Sequence, residues 1–231
     1  FDPRIFKEAG MSSFNAGSSS QSPLQTKVII KRYLDQLNPK IVVYEVYPST
    51  LGSDGVESSL DLVSNDNNDI HSLMMTLGMR HVKTFNTFVY STWKDLFQGE
   101  GTKEDERHGA DLYIDGGYVQ RDLQFNSFED VEPYRWELEE QQLSCFEDIV
   151  SIIKEKNIEL KLVFAPIAPG LYKRNKNIDE ISELLTKYGE FYNFNELVQL
   201  DDSLHFYDAH HMNQNGVEIF NRKMIEVLFS N

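Results

Sequence analysis

Cys145 is the single cysteine in 231 residues, so neither an internal disulfide nor a cysteine-based metal site can form. It stands in an apolar helical pattern with Leu143, Phe146 and Val150, where a buried, inert thiol is expected. Having no disulfide leaves the compartment open, because secreted proteins can also lack them. Long apolar runs are missing too: none approaches the roughly 20 residues that span a bilayer, and this segment is not expected to cross a membrane. Cations are scarce. Lys and Arg number 22 against 37 Asp and Glu, a formal net charge of −15, and such a field repels phosphate backbones and anionic headgroups and argues against a nucleic-acid partner. The acids are spread along the chain, which reads as a solvated surface. The chain opens on Phe1-Asp2-Pro3 with neither an initiator Met nor a signal-peptide pattern, an opening that leads us to expect further chain upstream.

With 40% hydrophobic residues the chain can bury a substantial core, and one domain over 1–231 is expected. Ser22 followed by Pro23 marks a helix start, and apolar residues at 24, 28, 29, 30, 33, 34 and 37 carry that helix to Leu37. Asn38-Pro39 then turns into Ile41-Val42-Val43-Tyr44-Glu45-Val46-Tyr47, the composition of a buried parallel strand. The same unit recurs, with an amphipathic stretch over 139–156, a turn at Asn157 and a strand over 160–166. A weaker third unit runs over 178–188 and 191–194, and a helix over 215–228 closes the chain. The order predicts an α/β fold, a parallel sheet covered by helices. The section from about 50 to 133 breaks the alternation. It contains helix patterns at 71–77 and 85–97 and a polar loop over 98–109, and reads as an insertion over the C-terminal edge of the sheet, where α/β folds bind ligands.

Two segments carry candidate chemistry. In Asp208-Ala209-His210-His211, an acid three residues ahead of a histidine can accept from one ring nitrogen and leave the other facing a cleft, the base-and-orienter half of a nucleophilic triad. The same residues would also read as a helix cap with solvent-facing histidines, or as a metal site of Asp208, His210 and His211 with His205 in support. Spacing alone leaves these three readings open, and no cofactor is expected. The second segment, Ser13 to Pro23, is a short apolar strand entering a small-residue loop. Gly17 lets the backbone approach closely, and its N–H could face a developing oxyanion. Ser18, Ser19 and Ser20 are the nucleophile candidates inside the chain; a serine-rich turn without chemistry is the alternative. Glu45, Asp54, Glu57 and Asp61 form an acidic group that could bind a cation or a sugar, or simply be solvated loop.

Phe14-Asn15-Ala16-Gly17-Ser18-Ser19-Ser20, the helix, and then Asn38 to Glu45 resemble the second motif block and following strand of the SGNH (GDSL-like) hydrolases. Asp208-Ala209-His210-His211-Met212-Asn213 with Gly216 resembles their fifth block. Phe1-Asp2-Pro3-Arg4-Ile5-Phe6 resembles the helical segment that follows the serine in membrane-anchored bacterial members of poorly defined function. The resemblance implies a flavodoxin-like three-layer α/β/α fold, a Ser-Asp-His site without cofactor, and acyl-ester substrates, often on carbohydrates of the cell envelope. It also implies an extracytoplasmic setting behind an N-terminal anchor. Nothing in Phe1 to Met11 matches the first block, which places the nucleophilic serine and first strand upstream of Phe1. Where the third block carries an Asn donor this chain has Glu45-Val46-Tyr47-Pro48-Ser49, so one oxyanion donor is lost or replaced.

Overall fold

The structure is a computed structural model that describes residues 1–98, 107–125 and 131–229. Caps set the first elements. Asp2 accepts the Arg4 N–H at 3.0 Å and starts α1 (Pro3–Glu8). Ser22, whose N–H donates to Gln25 Oε1 at 3.1 Å, starts α2 (Pro23–Leu37) with proline at its first position. Asn38, in the left-handed region at φ 41°, ends α2 and turns the chain into β1 (Ile41–Glu45). A helical turn, α3 (Pro48–Leu51), leads to α4 (Val56–Asn65), α5 (Ile70–Met79) and α6 (Val82–Gln98). Then come β2 (Arg107–His108), β3 (Asp111–Ile114) and β4 (Tyr118–Arg121), with Gly116 and Gly117 both at positive φ in the β3–β4 turn. The remainder is α7 (Glu140–Glu155), β5 (Glu159–Phe164), α8 (Pro169–Tyr172), α9 (Ile178–Thr186), β6 (Glu190–Asn193), α10 (Phe194–Leu197), α11 (Asp202–His205) and α12 (Gln214–Phe229).

The protein is α/β, built on a parallel three-stranded sheet in the order β1–β5–β6, with Ile41 opposite Glu159 and Lys161 opposite Glu190. Alternation of side chains along each strand divides two cores. Val43, Val163 and Tyr192 pack with Phe6 of α1 and Phe220, Met224 and Leu228 of α12. Val42, Tyr44, Leu160 and Leu162 face the other way, onto Leu34 of α2, Phe146, Ile149 and Ile153 of α7, and Ile181 and Leu185 of α9. Helices therefore cover both faces, an arrangement compatible with three α/β/α layers. Among the described residues no strand pairs with the outer edge of β1.

The middle section divides in two. Leu62, Val63 and Met75 of α4 and α5 pack on Leu24 and Val28 of α2 and on the buried Cys145, so these helices form a layer over α2 instead of lying over the sheet's C-terminal edge. The second sheet does reach that edge: Arg121 Nη1 donates to Tyr207 Oη at 2.7 Å and Tyr118 Oη to Gln214 Oε1 at 2.9 Å. Three expectations need correcting. The acidic stretch read as loop is largely α4, whose Ser58 and Ser59 are buried and bonded to Gln25. Ser13-Phe14 forms no strand, and its Phe14 is exposed. Arg107–His108 is strand, while 99–106 of the expected loop lie outside the described residues.

Candidate functional site

Loop 207–211 lies between two fixed ends. Phe206, fully buried, forms an antiparallel bridge with Met212, and Tyr207 N–H donates to His211 O at 2.9 Å. Asn213, also buried, donates from Nδ2 to the carbonyls of Gln124 and Leu204 and accepts from Gly216 N–H, knotting the loop to α11 and to the start of α12. Gly216 is required there, because a Cβ would lie 2.2 Å from the His205 carbonyl oxygen. Ala168 N–H donates to Ala209 O at 3.0 Å and ties the loop tip to the chain leaving β5.

Within this frame Asp208 Oδ1 accepts the backbone N–H groups of His210 and His211 at 2.7 and 2.8 Å, which fixes the carboxylate before it meets a side chain. His211 Nδ1 then lies 2.9 Å from both carboxylate oxygens. A carboxylate can only accept from this nitrogen, so Nδ1 carries the proton and Nε2 is the basic nitrogen, on a side chain 67% exposed. Partial burial pushes the Asp208 carboxyl up, but the His210 N–H, the His211 ring and the His211 N–H outweigh it and hold Asp208 below the usual carboxylate range.

His210 points elsewhere. Its Nδ1 is 2.6 Å from Tyr47 Oη, just past the C-terminal end of β1. Burial lowers the His210 pKa despite the neighbouring Asp208 charge, so the neutral ring is favoured. Tyr47 itself stacks on Phe164 at 5.8 Å and meets Trp136 edge-on at 6.1 Å. Burial, together with Tyr134, Glu45 and Asp208, pushes its hydroxyl well above the usual tyrosine range, and it remains a phenol that can donate to His210. On the other flank Arg121 pairs with Asp111 at 2.8 Å and lies 5.0 Å over the Tyr207 ring, which in turn is 5.8 Å from the His211 ring.

Glu45 ends β1 on the face covered by α1 and α12. Its side chain is exposed at the strand end, and desolvation by the surrounding protein raises its pKa, opposed by the charge of His211.

The serine loop is engaged with itself. Gly17 N–H donates to Asn15 Oδ1 at 2.9 Å and Ser18 N–H to Gln21 Oε1 at 2.9 Å. Gly17 becomes an oxyanion donor only by exchanging that acceptor. Ser20 adopts φ 53°, and Ser19 lines a shallow depression with Glu57, Asp61 and Asn65 of α4, apart from the histidine loop. Among the described residues no hydrogen bond or ring contact joins Gly17, Ser18, Ser19 or Ser20 to Asp208 or His211. The four acids of the expected acidic group are also divided, with Glu45 on the sheet and Glu57 and Asp61 on α4. The alternative metal set does not converge either: His205 Nδ1 accepts the Asp201 N–H at 2.8 Å, and no cluster of three ligating side chains occurs among the described residues.

Tyr47, Arg121 and Tyr207 were not singled out from the sequence. Tyr47 had a usable signal, since it follows the C-terminal end of a parallel strand, where α/β sites gather. Arg121 had none, because only the tertiary fold brings β4 to the loop. No family model matches the chain, and neither does any curated protein or solved structure. The arrangement itself supplies an oriented, exposed imidazole on the C-terminal side of a parallel sheet.

Proposed function

We propose that the chain is an SGNH-type, flavodoxin-like three-layer domain that handles acyl esters, with His211 as general base and Asp208 as its orienting acid. The observation that carries this reading is the grip of Asp208 on His211 Nδ1, through an acid whose own position is fixed by two backbone N–H groups. The nucleophile we assign is a serine ahead of Phe1. Its Oγ attacks the acyl carbonyl while His211 Nε2 takes the hydroxyl proton and Asp208 stabilises the imidazolium. The proton passes to the departing alkoxide, and the acyl-serine is released to water or to a sugar hydroxyl by the same steps in reverse. Acylated cell-envelope carbohydrate, outside the cytoplasm, is the substrate class this reading assigns.

The test uses the natural gene product, whatever residues it carries ahead of Phe1. A fluorophosphonate probe should label a serine, and Asp208→Asn should lower turnover of a short-chain acyl ester by about 10⁴-fold through the wrong histidine tautomer. Label mapped to Ser18, Ser19 or Ser20 would move the nucleophile into the chain. No label, or turnover unaffected by His211→Ala, would overturn the proposal. A second reading, a non-catalytic polysaccharide-binding or assembly module on the same fold, is favoured by the engaged Gly17 N–H and by Glu45-Val46-Tyr47 standing where an Asn donor is expected. Retention of an acylated glycan by a protein that neither labels nor turns over would support it.

A further inference from the structure

Helices α5 and α6 leave much of their apolar surface open to water. On α6 Thr84 and Ser91 are buried and Phe88 packs on the α2 core, while Val82, Phe85, Val89, Trp93 and Leu96 form one exposed stripe at spacings of three and four residues. Val82 is 72% exposed and Leu96 76%. On α5 Ser72, Met75 and Thr76 are buried while Ile70, Met74 and Leu77 are exposed, again along one face. Tyr90 and Phe97 extend the surface, with Phe97 5.5 Å from the Trp93 ring. Exposed apolar side chains aligned along a helix face mark a site of contact.

Charge identifies what it contacts. From Ile70 to Lys94 the chain contains no Asp or Glu, although the whole sequence has 37, and that stretch carries Arg80, Lys83 and Lys94, all exposed. An apolar stripe rimmed by cations, with Trp and Tyr among its exposed side chains, matches a bilayer surface: apolar side chains enter the headgroup boundary, indole and phenol rings sit at headgroup level, and cations meet anionic lipid. Neither helix is long and apolar enough to cross a membrane. We propose that the α5–α6 face lies on the surface of a bilayer containing anionic lipid. The remaining acidic surface would be repelled by the same headgroups, which orients the molecule with this face down. The proposal does not depend on the chemistry of Asp208 and His211.

Cosedimentation of the chain with phosphatidylcholine vesicles, with and without 30% phosphatidylglycerol, tests it. Expected is binding to the anionic vesicles that weakens with salt, with a blue shift of Trp93 emission. Trp93→Glu with Leu96→Glu should lower the partition coefficient at least about tenfold, by removing buried apolar area, while the far-ultraviolet circular dichroism and melting temperature stay unchanged. Lys83→Glu with Lys94→Glu should remove the preference for anionic over neutral vesicles. Absence of vesicle binding overturns the proposal, as does equal binding to both vesicle types. A concentration-dependent dimer in analytical ultracentrifugation, dispersed by the Trp93→Glu pair in protein that ignores vesicles, would assign the face to a second copy of the chain instead.

Discussion

The sheet with its two helical covers and the α4–α6 layer contain similar side chains in opposite arrangements. Around the sheet, Phe146, Ile149, Leu162, Phe164 and Phe220 are almost wholly buried, and the charged groups that remain are paired at the edges, such as Lys161 between Glu159 and Glu190. In the outer layer, Ser58, Ser59, Ser72 and Thr76 share the inward positions with Leu62, Val63 and Met75, while Ile70, Met74, Val82, Trp93 and Leu96 face out. Apolar content therefore does not locate a core by itself. Inward polar side chains are tolerated where hydrogen bonds receive them, as Ser58 and Ser59 are received by Gln25, which buries no unmet donor at those positions.

Truncations should separate the two regions sharply. Phe146→Ala, at a fully buried site between Tyr44 and Tyr188, should cost about 3–5 kcal/mol in urea denaturation. A loss below about 1 kcal/mol would mean that this core is far looser than described. Asp69→Ala sits where the two regions join. Asp69 caps α5 by accepting the His71 and Ser72 N–H groups at 2.9 Å and pairs with Arg32 of α2, which is only 6% exposed. Losing the cap and half of Arg32's partners should cost about 2 kcal/mol, with Asp66 keeping Arg32 from isolation. Although burial raises the Asp69 carboxyl, the Arg32 guanidinium and the Ser72 N–H bring it down to about 2. Because the folded value is below the unfolded one, this contribution is present above pH 4 and is lost as pH falls from there toward 2, and an acid titration of the variant against the parent should show that difference vanish.

Glu45→Gln should act the other way. Burial raises the Glu45 carboxyl in the folded protein, so ionising it opposes folding and its contribution is lost as pH rises through the folded pKa. The variant should be more stable than the parent at neutral pH, with the advantage fading in acid; greater stability at every pH would detach the effect from titration. Smallest of all, Leu96→Ser on the exposed stripe should shift stability by no more than about 0.5 kcal/mol. A larger loss would show that α6 is covered within the molecule.

The parallel units could be read from sequence because local and tertiary signals agree there. Ser22-Pro23 starts α2 where it should, and Ile41–Glu45, Glu159–Phe164 and Glu190–Asn193 are strands within one or two residues of expectation. Helix α4 was missed because its inward positions include Ser58 and Ser59, which carry no apolar periodicity. The β3–β4 hairpin had an Asp115-Gly116-Gly117 turn flanked by Tyr113, Ile114 and Val119, a signal that was passed over. At the site, Asp208 and His211 were legible because they are three residues apart. The pairing of Tyr47 with His210 was not, since their hydrogen bond closes a loop of 163 residues and nothing local encodes it.

The Ser22–Gln142 contact, at 2.8 Å between side chains 120 residues apart, bears on how the chain comes to be made. Helix α2 leaves the ribosome long before α7, so the partner that completes its buried face does not yet exist, and loop closure of that length slows the encounter. Throughout that interval α4, α5 and α6 have only α2 to assemble on, with their outer apolar surface uncovered. The newborn chain therefore passes through its most aggregation-prone moment midway through synthesis, and its yield in a cell should respond to translation speed and chaperone supply more than the stability of the finished fold would suggest.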